Sequence, residues 1–281
     1  YVSQLASYGN TILASTGAGL LSSTNFGNNW VSINSGLDSN FIDCIHATGN
    51  NLFAGTLGQG IFKSTNSGQN WNESNQGLGN ISVKIFHNAG NNLYATTPGK
   101  GVQISSNFGQ TFSPANGNMG NIAITSITSN GNYIFAGSPY KGVFVSSNNG
   151  LNWILSNNGL TDLNISSLTT FNGKVYAGFP YPSGIFRTTN NGSSWQKITN
   201  GLPSSFTGSE LAHSSTKIYA GGTIELYASN DGDVWYSILG NLPQYPQINS
   251  IATVNDVVFV GTWGNGVYRS LNNGLNWSLI N

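Results

Sequence analysis

Ser64-Thr65-Asn66-Ser67-Gly68-Gln69-Asn70-Trp71 is an octet that occurs in seven versions along the chain. The others span residues 23–30, 105–112, 146–153, 188–195, 228–235 and 270–277. Their closing aromatics are Trp30, Trp71, Phe112, Trp153, Trp195, Trp235 and Trp277, so the spacings are 41, 41, 41, 42, 40 and 42 residues. A period of about 40 to 50 residues made of short strands and glycine turns belongs to β-propellers, with one blade per repeat.

Each octet position has a physical role. Asn25, Asn66, Asn107, Asn148, Asn190, Asn230 and Asn272 share one place, and Gly27, Gly68, Gly109, Gly150, Gly192, Gly232 and Gly274 follow two residues later. An asparagine side chain closes a tight turn by accepting backbone N–H groups just ahead of it, and glycine supplies positive φ. The hydroxyl two places before the Asn bonds across the same turn, and the aromatic returns on the next strand to bury its ring. The octet therefore predicts a hairpin between the third and fourth strands of a blade.

The predicted fold is a single all-β domain: a seven-bladed propeller with four antiparallel strands per blade. The blades fall at about 1–37, 38–78, 79–119, 120–160, 161–202, 203–242 and 243–281. Residues 51–55 and 257–261 are almost continuously apolar, which implies strands buried on both faces. Ala54-Gly55, Ala136-Gly137, Ala177-Gly178 and Ala220-Gly221 suit places where neighbouring blades approach closely. Blade six diverges most, having Ala228 where the others carry a hydroxyl. The repeats run almost from Tyr1 to Asn281, so closure is expected by packing blade one on blade seven, with no exchanged strand.

With Asn in place of Asp, the octet resembles S-x-D-x-G-x-x-W, the Asp-box of the bacterial neuraminidase repeat. Similar repeats occur in sialidases, xyloglucanases, sortilin-type receptors and photosystem II assembly-factor propellers. The resemblance covers the whole chain and implies a propeller. It also implies that the box is a structural turn remote from the ligand face, so it bears on fold more than on function. The basic interaction patch of the assembly factors has no counterpart among nine Lys and Arg residues spread along the sequence.

Charged residues make up 6% of the chain, against roughly 25% in ordinary soluble proteins. The formal net charge is zero, which argues against nucleic acid and against anionic membrane surfaces as partners. A weakly charged surface offers little repulsion between copies, so a homo-oligomer or filament is one expectation and a glycan-rich exterior setting is the other. No apolar run approaches the length of about 18 residues that a spanning helix needs, so no membrane insertion is expected. Tyr1 is not an initiator Met and no signal peptide is present; the chain reads as a mature or excised fragment, secreted or on the cell surface. Cys44, the one cysteine, excludes an internal disulfide and sits in an apolar strand as an inert thiol.

Catalytic constellations are scarce. A sialidase-like site needs an arginine cluster, yet Arg187 and Arg269 occupy one repeat position, shared with Lys63, in blades spread around the ring. A xyloglucanase-like site needs two carboxyls roughly 5 to 9.5 Å apart. Its candidates are Asp38, Asp43, Asp162, Glu210, Glu225 and Asp256, with Asp38 and Asp162 in interblade connections. Asp231 and Asp233 read as turn residues, and one short loop does not satisfy calcium. His46 and His87 share a repeat position on neighbouring first strands, with His213 one residue out of register. Two histidines make a poor zinc site, so no metal and no cofactor are expected.

Binding sites on repeat scaffolds lie where the repeat is broken. The connection between second and third strands varies most, and it places Phe179, Tyr140, Tyr181 and Trp263 with Lys100, Lys141 and Asn265 on one rim. Phe206, Pro243, Tyr245 and Pro246 extend that rim through longer interblade connections. Aromatic platforms beside amides and hydroxyls suit sugar rings. The expected function is a non-catalytic extracellular or cell-surface scaffold for a glycan or protein partner, with or without self-assembly. The alternative is a glycoside hydrolase with an Asp/Glu pair at the central cleft.

Overall fold

The computed structural model describes residues 2–37, 41–180 and 182–280. The chain forms seven antiparallel sheets of four strands each, every sheet in plain sequence order. In blade two the strands are Ile42–Thr48, Asn51–Thr56, Ile61–Ser64 and Asn72–Glu73. The second strand is the best buried, as its near-continuous apolar sequence requires: Leu52, Phe53 and Ala54 are all enclosed. Apart from strands, the regular structure of the described residues is a single 3-10 turn at Gly117–Met119.

The first strand of each blade lies innermost. Val2–Tyr8 packs on Ile42–Thr48 on one side and on Ile248–Val254 of blade seven on the other. The ring thus closes by packing, and blades one and seven each keep their own four strands. Side chains of these innermost strands stitch neighbours together. Gln4 Oε1 accepts Ile45 N–H at 2.7 Å, Ser126 Oγ accepts Leu168 N–H at 2.8 Å, and Ser250 Oγ accepts Leu5 N–H at 2.9 Å. Glu210 holds the same position in blade six and accepts Ile251 N–H.

Each octet lies between the third and fourth strands. In blade two, Ser64 Oγ donates to Asn66 Oδ1 at 2.8 Å, while Gly68 N–H donates to Ser64 Oγ at 2.9 Å and Asn70 N–H to Asn66 Oδ1 at 3.0 Å. Ser67 and Gly68 are both left-handed, with φ of 59° and 84°. A Cβ on Gly68 would also strike Ile33 of blade one, so glycine is required for space as well as conformation. The aromatic binds the preceding blade at both ends. Trp71 N–H donates to Ser35 O at 3.0 Å, and its indole Nε1–H donates to Ile33 O at 2.6 Å. Trp30, Trp153, Trp195 and Trp277 repeat the indole bond to Ile280, Ala115, Ser156 and Ile238.

Blade six corrects the sequence reading. Its turn is organised by Ser229 and Asp231, not by Ala228 and Asn230. Ser229 Oγ donates to Asp231 Oδ1 at 2.9 Å, and Asp231 Oδ1 accepts Asp233 N–H and Val234 N–H at 2.8 and 3.0 Å. The loop is one residue shorter between acceptor and glycine, so only Gly232 is left-handed. Asn230 instead accepts from Lys217 Nζ and Tyr236 OH at the exposed edge. Asp231→Ala is expected to cost about 1 kcal/mol of unfolding free energy, as for other side-chain caps on backbone N–H groups. Asn230→Ala is expected to stay within about 0.5 kcal/mol. Urea unfolding of the two variants checks the assignment, and the reverse order would restore Asn230 to the turn.

Candidate functional site

Antiparallel alternation sorts the connections between two faces of the ring. Hairpins between first and second strands and the octet turns occupy one face. Loops between second and third strands and the interblade connections occupy the other. On this second face loops and connections bond to each other: Gly58 N–H donates to Ile81 O at 3.2 Å and Gly142 N–H to Leu163 O at 2.9 Å. The aromatics predicted for a binding rim fall here.

They do not all point outward, and they do not converge. Tyr140 is 78% exposed and Trp263 60% exposed, with Tyr245 also exposed. Lys100, Lys141 and Asn265 are exposed as well. Phe179 is withdrawn from the rim: it is fully buried, with its ring 5.1 Å from Phe186 in an edge-on contact. Phe206 is likewise buried, 5.2 Å from Tyr227. Both rings fill the core between blades, where burial of so much apolar area outweighs any surface role. Tyr181 and Asp38 lie outside the described residues. Lys100, Tyr140 and Trp263 belong to blades three, four and seven, so they stand apart around the rim.

Trp263 is an exposed rim aromatic with a pocket beside it. A cavity of about 290 Å³ between blades six and seven is lined by Trp263, Ser209, Thr223, Gln247, Ile248 and Asn249. Backbone bonds fix its walls: Gln247 N–H donates to Thr223 O at 2.9 Å and Trp263 N–H to Gln247 O at 3.0 Å. Gln247 is held at φ 45°, a conformation that non-glycine residues adopt at a cost. The interblade connection containing Gln247 could be read from sequence, but the pocket's hydroxyl and amide lining needs two blades brought together.

Most charged groups are occupied with structural tasks. The cations of the third strand cap the turn of the following blade: Lys63 Nζ donates to Phe108 O at 2.7 Å, and Arg269 donates to Phe26 O at 2.6 Å and to Asn28 Oδ1 at 2.7 Å. Arg187 pairs with Asp233 of the blade-six octet, as does Lys174 at 3.0 Å. Among the acids, Asp43 pairs with Lys84 at 2.8 Å. Burial works to raise the Asp162 carboxyl, but hydrogen bonds from Ser183 and backbone N–H groups win and hold it below the usual carboxylate range. Burial pushes the carboxyls of Glu210, to about 8, and of Glu225 upward. Asp256 sits in the hairpin after Ile248–Val254, on the opposite face. Asp43, Asp162 and Asp256 thus fall in blades two, five and seven, while Glu210 and Glu225 share blade six, where Glu210 accepts Ile251 N–H and Glu225 a backbone N–H of Thr207.

His46 and His87 occupy adjacent innermost strands, and burial lowers them to about 4 and about 3; the charge of His46 adds to the shift at His87. His87 Nε2 bonds Ser129 Oγ at 2.9 Å. No group of three or more His, Cys, Asp or Glu is arranged to hold a metal among the described residues. Cys44 is enclosed, and burial, then Asp43, drives its thiol far above the ordinary range. No helix of the described residues is long and apolar enough to cross a membrane.

No family model and no curated protein matches the sequence. Solved structures do match. The GH74 xyloglucanase from Xanthomonas campestris is 14% identical with a TM-score of 0.74, over 98% of this chain and 52% of that one. The chain therefore spans about half the length of that xyloglucanase. YCF48 bound to D1 peptide is also 14% identical with a TM-score of 0.74, over 96% of this chain and 93% of its own. RRP9 WD40 repeats are 12% identical with a TM-score of 0.65, over 85% and 79%. These likenesses are of fold: a seven-bladed propeller that resembles both a hydrolase and a peptide-bound protein.

Proposed function

We propose that this propeller is a non-enzymatic binding scaffold, secreted or on a cell surface, that takes a glycan on the loop face beside Trp263. The observation that carries this reading is the pairing of an exposed indole with a small cavity of hydroxyl and amide side chains, Ser209, Thr223, Gln247 and Asn249. A sugar ring presents a C–H face that stacks on an indole and hydroxyls that bond to such partners. The scarcity of net charge fits a neutral ligand.

Hydrolysis is the weaker reading. It needs two carboxyls flanking one glycosidic bond, one of them ionised and one protonated. Asp43 is paired with Lys84 of the next blade, Asp162 is held by Ser183 within its own blade, and Glu210 is bonded to the neighbouring backbone.

The test is a glycan array probed with the intact chain, followed by polysaccharide incubation with product analysis. Binding without released sugar is expected, and Trp263→Ala should weaken it by about tenfold or more, the loss of roughly 1.4 kcal/mol. Release of reducing ends would sink the non-enzymatic reading. Unchanged binding by Trp263→Ala would remove the site.

A further inference from the structure

The third strands of blades two, five and seven each carry a cation that serves the octet of the following blade. Lys63 Nζ donates to Phe108 O at 2.7 Å, and Arg269 donates to Phe26 O at 2.6 Å and to Asn28 Oδ1 at 2.7 Å. Arg187 pairs with Asp233. Phe26 and Phe108 are the left-handed residues just before an octet glycine, whereas Asn28 and Asp233 come just after one. Each cation therefore crosses a blade boundary and caps the polar atoms that flank one glycine.

Blade four has the acceptors of this arrangement without the donor. Its third strand, Gly142–Ser146, places Val145 where the cation would stand. The octet it faces is nonetheless built like the others. Asn191 and Gly192 have φ of 52° and 85°, against 56° and 81° for Phe108 and Gly109. Ser193 N–H donates to Asn190 O at 3.2 Å, as Gln110 N–H does to Asn107 O at 3.3 Å. The Asn191 carbonyl is thus aimed like that of Phe108, and Ser193 stands where Asn28 does. Blade three, with Ile104 in the cation's place, sends the Tyr94 hydroxyl to Asn149 Oδ1 at 3.4 Å instead. Blade four has Phe135 in that tyrosine's place and lacks the hydroxyl too. Asn130 Nδ2 meets the Asn191 side chain at 3.3 Å, and no side chain of the described residues donates to Asn191 O.

A cavity of about 320 Å³ opens at this place, lined by Val145, Ile154, Leu155, Asn191, Gly192 and Ser193, with further asparagine and serine side chains as its polar wall. None of its lining residues is charged. Ile154 and Leu155 form an apolar lip, 75% and 59% exposed. We propose that this cavity is a docking site for an arginine side chain presented by another protein. The guanidinium donates to Asn191 O and Ser193 Oγ, as Arg269 donates to Phe26 O and Asn28 Oδ1; its planar fork matches two acceptors at once. The aliphatic stem lies along Val145, Ile154 and Leu155. The chain's own two arginines are engaged at their own blade boundaries, so a second copy does not supply the group. The Trp263 cavity shares no lining residue with this one, so the two sites stand or fall separately.

The probe is N-acetyl-arginine amide, titrated into the intact isotope-labelled chain while its amide resonances are followed. Saturable shifts at Val145 and at residues 191–193 are expected, with a dissociation constant below about 10 mM. N-acetyl-citrulline amide has nearly the same shape without the charge, and it should bind about fivefold more weakly or not at all. Val145→Arg supplies the cation from within, as blades five and seven do, and should weaken binding by about tenfold or more. Ser193→Ala removes one acceptor at an exposed position and should weaken binding about threefold with the melting temperature unchanged. That variant and the citrulline probe keep the result interpretable if Val145→Arg disturbs the fold. Absence of saturation overturns the proposal, as does equal binding of the citrulline probe or saturable shifts confined to other blades. Equal affinity of methyl glucoside for the same residues would assign the cavity to neutral hydroxyl ligands and overturn it as well.

Discussion

Trp71→Ala is expected to destabilise the propeller by about 3 to 5 kcal/mol, a large share of the 5 to 15 kcal/mol by which such domains are stable. Trp71 is only 2% exposed and joins the core shared by blades one and two. Its removal opens a cavity and also orphans Ile33 O, which the indole N–H reaches at 2.6 Å. A milder substitution separates the two contributions. Trp71→Phe keeps most of the packing and loses the bond, so it should cost about 1 to 3 kcal/mol. Trp235 is the internal control, since its Nε1 is buried without an acceptor among the described residues. Trp235→Phe should therefore cost clearly less than Trp71→Phe, and Phe112 shows that a ring without N–H is accepted at this place. Guanidinium unfolding midpoints of the three variants read the difference. Equal costs for the two Phe variants would mean that the interblade indole bond contributes nothing.

The fold was legible because its signal is local and repeated. An Asn, a Gly two residues on and an aromatic three further on encode one turn, and the constant period places that turn once per blade. The blade-six exception was also legible in principle. The spacing of 40 residues before Trp235 and 42 after it marks the missing residue that shifts the turn from Asn230 to Asp231. Other features depend on which blade a side chain faces, and the sequence does not carry that directly. Lys63 and Arg269 looked like dispersed cations; the structure shows each reaching the left-handed residue of the following turn. Phe179 and Tyr140 occupy equivalent loops, yet one ring turns inward against Phe186 and the other outward to solvent.

Glu210→Gln is expected to raise stability at neutral and alkaline pH while changing little in acid. Among the described residues, Glu210 is the carboxyl in the series of innermost side chains that accept the next blade's N–H, alongside Gln4, Ser126, Ser167 and Ser250. Burial raises its pKa from 4.5 to about 8 in the folded chain. The folded state therefore holds a proton that the unfolded state has released between those values, and stability falls as pH rises through this window. At about 1.4 kcal/mol per unit the full span would exceed 4 kcal/mol; the side chain is only half-buried, and water at the channel reduces this to the order of 2 kcal/mol. His46 and His87 act in the opposite sense. Lowered to about 4 and about 3, they are neutral when folded, so stability is lost as pH falls below about 6.5. The native chain should thus melt highest on the acid side of neutrality, with an alkaline slope from Glu210 and an acid slope from the histidines. Glutamine keeps the acceptor oxygen, as Gln4 does in blade one, and abolishes the titration. The gain in melting temperature of Glu210→Gln over the native chain should be larger at pH 8.5 than at pH 5.5 by roughly 2 to 4 °C, because the histidine contribution is common to both proteins. An alkaline slope of the same size in both proteins would assign it to another group.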